Sequence, residues 1–146
     1  ALRPVIRALA DRFSSCATST AGLVIKAGAS AVAKTGAAAF NGFAGGVPVS
    51  IAASTDMPAL VGTIGAGKYN VFCFFIDSAS TVTVAMGTEG ATLAAVKVPT
   101  FPEGKALVGY LVITNASAFT GGTTALDTAT TVYVSPVGAF DPTIIL

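Results

Sequence analysis

PTFPEGKALVGYLVI, residues 99–113, joins a turn to a strand of the core. Two prolines flank Phe101, and proline fixes the backbone angle φ in a way that suits turns. The E-G-K sequence at 103–105 predicts the apex of the turn, and the apolar run 106–113 predicts a strand that is apolar on both faces. Because an apolar face is stable only when it is kept from water, both faces of this strand must be covered.

Residues 69–77 predict a second central strand of the same kind. Alternate residues of an extended chain share a face, and here both sets are apolar. One set is Val71, Cys73 and Phe75, and the other is Phe72, Phe74 and Ile76. The D-S-A-S sequence at 77–80 predicts a hairpin turn in which side-chain oxygens bind nearby backbone. We expect the second cover of these strands to come from a loop, another sheet or a neighbouring subunit.

The chain from residue 23 onward has the pattern of an all-β protein. Short apolar or β-branched runs are separated by Gly, Pro, Asn and Asp, which predicts an antiparallel β-sandwich. Residues 115–131, rich in Thr, Ser and Gly, predict a long polar loop. Further strands are predicted at 23–26, 37–43, 47–53, 59–64, 81–86, 92–98 and 130–135, and the strand after the turn extends to 115.

The first 22 residues predict a separate arm. Large apolar residues follow Pro4 at helical spacing, and proline is favoured in the first turn of a helix, so a short amphipathic helix is predicted from 4 to about 13. These apolar residues are Val5, Ile6, Leu9 and Phe13. The hydroxyl-rich run 14–22 predicts a linker in extended or turn structure. The expected organisation is a helical or extended arm, 1–22, and a β-sandwich domain, 23–146.

The composition indicates a surface that is partly covered by a partner. The chain is 53% apolar and 10% charged, with eight Lys or Arg and seven Asp or Glu, whereas soluble domains carry about 25% charged residues. A domain of this mass exposes on the order of 6,800 Å², or about 450 Å² for each charged side chain. That area matches the roughly 300–600 Å² of the largest apolar patch on a typical monomer, and larger patches usually mark interfaces.

Targeting signals and cysteine usage point to a cytosol. No apolar run reaches the roughly 20 residues of a membrane-spanning helix, and the start lacks the pattern of a signal peptide. An alanine at position 1 fits removal of an initiator methionine. Cys16 and Cys73 are only two and far apart in sequence, so we interpret both as reduced small hydrophobes. We expect no membrane partner.

Three arginines, Arg3, Arg7 and Arg12, lie in the predicted arm. Two interpretations are open: the arginines form the polar face of a solvated helix, or they belong to an arm that docks on an acidic partner. The net charge of +1 provides no general attraction to polyanions. No basic stripe accompanies the aromatic residues, so a nucleic-acid partner is not expected.

The composition argues against catalysis. The chain contains no His, which removes the usual general base, the commonest metal ligand and every His-dependent triad. No S-x-x-K spacing occurs. Each of the seven acidic residues lies beside a turn residue, which indicates surface turns rather than a catalytic carboxylate pair. We therefore predict that the protein is not an enzyme and holds no cofactor and no metal.

One motif, GTIGAGK at 62–68, matches the G-x-x-x-x-G-K pattern of a phosphate-binding loop. Such a loop needs Ser or Thr as the next residue, to bind magnesium, and then a helix whose amides hold the phosphates. Here Tyr69 follows, and the sequence continues as a strand. The motif therefore predicts a tight turn between strands.

Three pieces of the chain resemble a known family. They are GKYNVFCFFIDSASTVTVAMGTEG at 67–90, VKVPTFPEGKALVGYLVI at 96–113 and TALDTATTVYV at 124–134. These pieces resemble small proteins that are encoded beside the major capsid protein in tailed bacteriophages and are assigned as head decoration or cement proteins. The sharpest part of the resemblance is P-x-F-P-E-G-K followed by G-Y-x-x-I.

The resemblance implies a function and a set of contacts. It implies a β-sandwich, often jelly-roll-like, that forms a homodimer or homotrimer and cements neighbouring major capsid subunits on the virion surface after assembly in the host cytoplasm. On this hypothesis the arm bearing Arg3, Arg7 and Arg12 contacts the capsid. The oligomer is built by the second face of the central strand and by the apolar end of the chain. These candidate contacts are Val108, Tyr110, Val112, Ile144, Ile145 and Leu146.

Two other functions stay open at this stage. A fibre or tail component of a phage would have a similar pattern of turns and strands. A carbohydrate-binding β-sandwich module would rely on exposed Trp or Tyr, and the chain has no Trp and three Tyr. Copy number on the particle separates the first alternative from a decoration protein, and the exposure of the tyrosines bears on the second.

Overall fold

The structure is a computed structural model that describes residues 2–139. Among these residues there is one α-helix, α1 (Leu2–Ser14), and a single turn of 3-10 helix, Leu93–Ala95. All strand pairings are antiparallel. The strands are β1 (Cys16–Ala17), β2 (Val24–Ile25), β3 (Ala33–Lys34), β4 (Phe40–Ala44), β5 (Val47–Ile51), β6 (Thr63–Ile64), β7 (Tyr69–Ile76), β8 (Val82–Met86), β9 (Ala106–Thr114), β10 (Phe119–Thr120) and β11 (Thr130–Val134).

Two sheets form a sandwich. The larger sheet has the order β11–β9–β7–β8, the smaller has the order β1–β4–β5, and β10–β6 and β2–β3 are short additional pairs. Side chains from both sheets meet in one hydrophobic cluster, which we call the first core. Its buried members from the smaller sheet include Phe40, Ala44, Val49 and Ile51, and those from the larger include Phe72, Phe74, Ile76, Leu111 and Ile113. The predicted all-β sandwich with a short N-terminal helix is confirmed.

The outer face of the larger sheet has its own cover. Val71, Cys73 and Phe75 project from β7 into a second core, as the alternation predicts. The segment after the 3-10 turn closes this core with Val96 and with Phe101, whose ring meets Phe75 edge to face at 5.0 Å between centroids. Of the three covers expected for this face, the structure uses a loop of the same chain.

A β-bulge interrupts β9 at its centre. Phe74 pairs with Gly109 and Phe75 pairs with Leu107, so Val108 is an extra residue in its strand. Because a bulge shifts the two-residue period, Val108 points into the first core while Tyr110 points into the second. The expectation that Val108, Tyr110 and Val112 share one face is therefore wrong for Val108.

Short elements account for the other departures from the predicted pattern. The predicted strand at 92–98 contains the 3-10 turn Leu93–Ala95, and the predicted loop at 115–131 contains β10, which pairs with β6. The predicted linker contains β1, in which Cys16 lies opposite Phe43. Two-residue strands such as β1 and β10 are too short to show a periodicity, so they are recognised only by the strands with which they pair. The sheet therefore begins inside the region assigned to the arm.

Candidate assembly surface

Helix α1 is fixed to the body at its last turn. The amide of Gly46, in the β4–β5 turn, donates to the carbonyl of Ser14 at 2.8 Å, and the Gly45 amide donates to the buried Ser15 hydroxyl at 2.8 Å. The last carbonyls of a helix lack partners within the helix. The β4–β5 turn thus supplies a hydrogen-bond donor to one of these carbonyls and holds the C-terminal end of α1 in place.

Asp11 ties the helix to a second turn. Its carboxylate accepts from the Gly104 amide at 2.9 Å, from the Arg12 guanidinium and from the Ser15 hydroxyl at 3.5 Å. Burial would raise the pKa of Asp11, but the hydrogen bonds from Arg12, Gly104 and Ser15 and the charge of Arg12 together lower it. An ionised Asp11 therefore joins α1 to the turn that follows Pro102.

Two of the three arginines of the arm contact this same turn. The Arg12 guanidinium lies 5.3 Å from the centroid of the Phe101 ring and donates to the Pro102 carbonyl at 3.4 Å. Arg7 lies 3.5 Å from the Glu103 carboxylate, with both side chains largely exposed. Such an exposed pair contributes little to stability. Arg12, whose side chain is 18% exposed, is therefore part of the attachment of the helix, and its capsid contact stays a prediction.

Arg3 has a different position from the other two arginines. It forms no ion pair with any carboxylate of the described residues 2–139, and it lies in the exposed first part of α1. Of the three candidate capsid contacts, Arg3 has no carboxylate partner among residues 2–139, and Arg7 is exposed in a weak pair. A purely electrostatic attachment of the arm would rest on these two residues.

A groove of about 470 Å³ separates the inner side of α1 from the turn below it. The helix contributes polar and small side chains to this groove, and the turn contributes an aromatic ring and a carboxylate. The lining residues are Pro4, Arg7, Ala8, Asp11, Arg12, Phe101 and Glu103. The side of the helix that faces its own body is therefore the polar side.

The apolar side of α1 faces solvent. Five large apolar side chains on it are 54–70% exposed, and we call them the outer stripe: Leu2, Val5, Ile6, Leu9 and Phe13. At about 100° per residue these positions fall opposite the groove-lining positions of the helix. A helix on a protein surface ordinarily turns its apolar face to the core. Here the direction is reversed, so the body of the same chain does not cover the stripe.

The exposed area of the outer stripe lies at the upper end of the range of about 300–600 Å² for the largest apolar patch on a monomer. It amounts to roughly 600 Å² if a fully exposed large side chain presents about 200 Å². Apolar patches of this size on soluble proteins are typical of interaction sites. An unsupported helix of 13 residues is also marginal in water. Burial of the stripe against a partner would therefore stabilise the helix as well as remove apolar surface from water.

Exposed apolar side chains continue beyond the C-terminal end of the helix. The Cys16 thiol lies 3.7 Å from the Phe13 carbonyl, and Cys16 lies opposite Phe43 in the smaller sheet. Phe43 and Val47 belong to the hairpin that holds the helix end, and both are exposed. Exposed apolar side chains thus occur on the outer stripe and on the β4–β5 hairpin, and Cys16 lies between the two.

The predicted oligomer contacts of the central strand have little exposed surface. Val108 and Tyr110 are 0% and 5% exposed, and Val112 is half-buried against the second core. Since the chain itself covers them, Val108 and Tyr110 are not available to a partner in this structure. Ile144, Ile145 and Leu146 lie outside the described residues.

The glycine-rich motif at 62–68 forms a turn between strands, as predicted. The Glu89 carboxylate accepts from the Gly65 amide at 2.8 Å and from the Lys68 ammonium at 2.7 Å. The Gly65 amide, together with Lys68, lowers the pKa of Glu89. The Glu89 carboxylate thus already binds the amide and the ammonium group that a phosphate would need.

Residues 2–139 lack the features of several other kinds of site. No group of three or more acidic or cysteine side chains is placed to hold a metal, and no helix is long and apolar enough to cross a membrane. Tyr110 is buried, and Tyr69 and Tyr133 are half-buried, so the tyrosines form no open platform for a sugar. Cys73 is buried, and burial raises the pKa of its thiol to about 12.

No protein-family model, curated protein or solved structure matches this chain. The functional assignment therefore depends on the site geometry. The periodic sequence signal identified four residues of the outer stripe but not the direction in which they face. Asp11 was not singled out from the sequence, because one acidic residue beside an arginine carries no signal of burial.

Proposed function

We propose that the chain is a structural virion protein that binds the outside of a phage capsid shell and cements neighbouring major capsid subunits. The observation that supports this proposal is the outer stripe. An apolar helix face that is held away from its own body is stable in water only when another surface covers it. A protein that displays such a face is suited to assembly.

The resemblance to phage decoration proteins supports the same proposal. Its sharpest motif, P-x-F-P-E-G-K, forms the turn that positions the helix: Phe101 lies under Arg12, and the Gly104 amide binds Asp11. The family-like residues and the outer stripe therefore belong to one local structure. We propose that this turn displays the helix as an assembly element.

A cement protein acts by mass action. A molecule that binds the assembled shell, and not the separated subunits, shifts the equilibrium toward the shell. Many copies around one particle add their contributions. An apolar contact surface fits this role, because burial of apolar area provides most of the free energy of protein association.

Binding to purified shells tests the proposal. The full chain is mixed with capsid shells that lack it, the particles are sedimented, and bound copies are counted by quantitative gel analysis. We expect saturable binding of hundreds of copies per particle. A few copies confined to a vertex or tail would overturn the decoration role and favour a fibre or tail component.

A truncated chain tests the part that the helix plays. Deletion of residues 1–13 should weaken shell binding while the β-sandwich stays folded, because the helix contributes no buried side chain to either core. The truncated chain should lose only the stability that Asp11 contributes. Far-ultraviolet circular dichroism and urea unfolding would confirm that the sandwich is intact. Unchanged shell binding by the truncated chain would show that the helix is not the attachment element.

A further inference from the structure

We infer that the outer stripe is covered by the outer stripe of a second copy of this chain, with the two helices antiparallel about a two-fold axis. The inference rests on the proposed function only in treating the stripe as an assembly surface. It names the occupant of that surface. The cemented unit on this view is a dimer joined through α1.

The spacing of the stripe fits another helix. Leu2, Ile6, Leu9 and Phe13 are separated by four, three and four residues, the spacing along which two helices pack side by side. A two-fold interface uses the same patch on both subunits, so the patch must be complementary to itself. A stripe whose residues are alternately four and three positions apart meets that condition.

The charges of the helix also fit a second copy. Arg7 and Arg12 pair with Glu103 and Asp11 on the groove side, so they offer little repulsion to a helix that approaches the opposite side. Arg3 remains. An antiparallel arrangement places Arg3 beside the C-terminal end of the other helix, where the helix dipole is negative. A parallel arrangement would place the two Arg3 side chains together.

The area of the patch matches what a stable dimer needs. The outer stripe together with Phe43 and Val47 presents about 800 Å², at about 200 Å² for a fully exposed large side chain. A standard interface buries about 800 Å² on each partner. The hairpin bearing Phe43 adjoins the C-terminal end of α1, so antiparallel pairing brings the N-terminal half of one helix toward the hairpin of the other copy.

The oligomeric state of matched variants tests the inference. Sedimentation equilibrium is measured on the full chain and on two stripe variants, Val5→Asp and Leu9→Asp. The controls are Val61→Asp and Leu93→Asp, which make the same exchanges at positions 73% and 40% exposed on the body. We expect a wild-type dimer, at least a hundredfold weaker dimerisation for both stripe variants, and a change below about threefold for the controls.

Three results of this experiment would overturn the inference. One is a monomeric wild-type chain at about 100 μM, a concentration at which an interface of standard size is formed. Another is retention of the dimer by Leu9→Asp while its circular dichroism spectrum matches that of the wild type. Equal loss of dimer in the stripe variants and the controls would count against the stripe in the same way.

Cysteine cross-linking tests the antiparallel direction. In an antiparallel pair Ile6 of one copy meets Leu9 of the other, whereas a parallel pair places Ile6 against Ile6. The variants Ile6→Cys and Leu9→Cys, each made with Cys16→Ser, are mixed under mild oxidation by oxidised glutathione; Cys73 is buried and stays unreactive. We expect the mixed disulfide to exceed either self-pair. Predominance of the self-pairs would overturn the antiparallel arrangement.

Shell binding of the same variants separates this inference from the proposed function. A wild-type dimer that fails to bind any shell would overturn the proposed function and leave the dimer intact. A monomeric chain whose shell binding is lost in Leu9→Asp would overturn the dimer and make the shell the occupant of the stripe. A wild-type dimer that binds shells, with both properties altered by Leu9→Asp, is the result that we expect.

Discussion

Asp11 is the residue on which the position of the helix depends. The fold draws its carboxylate partly out of water and surrounds it with donors from Gly104, Arg12 and Ser15. Burial acts to raise its pKa, and the donors outweigh that effect. Because the donors come from the turn at Gly104, from the helix and from Ser15 directly after it, one ionised side chain joins three parts of the chain.

Removal of this carboxylate is expected to destabilise the fold. Asp11→Ala leaves the half-buried Gly104 amide without its charged acceptor, and a hydrogen bond to a charged group contributes about 1.5–3 kcal/mol. Asp56→Ala is the matched control, because Asp56 pairs with Lys26 at an exposed site, where such a pair is worth less than about 1 kcal/mol. Urea unfolding of both variants measures the difference, and equal losses would contradict the role of Asp11.

The lowered pKa of Asp11 gives this contribution a pH dependence. A carboxyl whose pKa is lower in the folded state stabilises the fold above its unfolded value of about 4, and the contribution is lost as pH falls through the folded pKa. The free energy of unfolding should therefore drop below about pH 4, and Asp11→Ala should drop less. Glu89, whose pKa is also lowered, adds to the slope in both proteins. Parallel curves for the two proteins would contradict this account.

The residues that favour the formation of helix α1 differ from those that attach it to the body. Its Ala, Leu and Arg residues favour a helix. Its attachment comes from its last turn and its polar side, through Asp11, Arg12 and Ser14. Its apolar side is left for a partner, so partner binding and helix stability are coupled.

The bulge in β9 is the element that sets which side chains reach which core. Gly109 lies at this point, and a Cβ there would stand 2.5 Å from a methyl carbon of Leu23 and 2.7 Å from the Val134 carbonyl. Gly109→Ala is therefore expected to cost about 1–3 kcal/mol through overpacking. Gly28→Ala, whose added Cβ meets nothing within 4 Å, is the control and should be neutral within about 0.5 kcal/mol. Similar unfolding midpoints for both variants would contradict this reading of the bulge.

The molecule as a whole combines few charges with a large exposed apolar surface. All four ion pairs among the described residues form within the chain. Three of them link segments that are distant in sequence, and the fourth joins the neighbours Asp11 and Arg12. Little net charge is therefore directed at a partner. Association through this surface is expected to depend on apolar burial more than on charge.

Salt dependence distinguishes the two mechanisms of attachment. Salt shortens the range of charge interactions from about 10 Å at 0.1 M to about 3 Å at 1 M, whereas apolar contacts persist. We expect shell binding, and dimer formation, to change by less than about threefold over this range, and Arg3→Ala to bind within the same limit. A loss of tenfold or more in either measurement would restore the arginine arm as the main contact.

The amino-acid sequence was sufficient to predict the class of fold. Alternation in 69–77, the proline-flanked turn at 99–105 and the helical spacing that starts at Pro4 are local signals, and each led to an element of the expected type. They are local because strand and helix periods are properties of neighbouring residues. The short strands β2 and β6 lie inside the predicted strands 23–26 and 59–64. The short strands β1, β3 and β10 and the phase of β9 were not predicted, since pairing partners set them.

The sequence could not show in which direction the outer stripe faces. A period of 3.6 residues shows that one side of α1 is apolar, but it does not show which side meets the body. That choice is made by contacts between distant segments: Gly104 with Asp11, Phe101 with Arg12 and Gly46 with Ser14. Residue order alone thus specifies a β-sandwich preceded by an amphipathic helix. Three-dimensional packing turns the polar side of that helix inward, because its partners lie about 30 to 90 positions away along the chain.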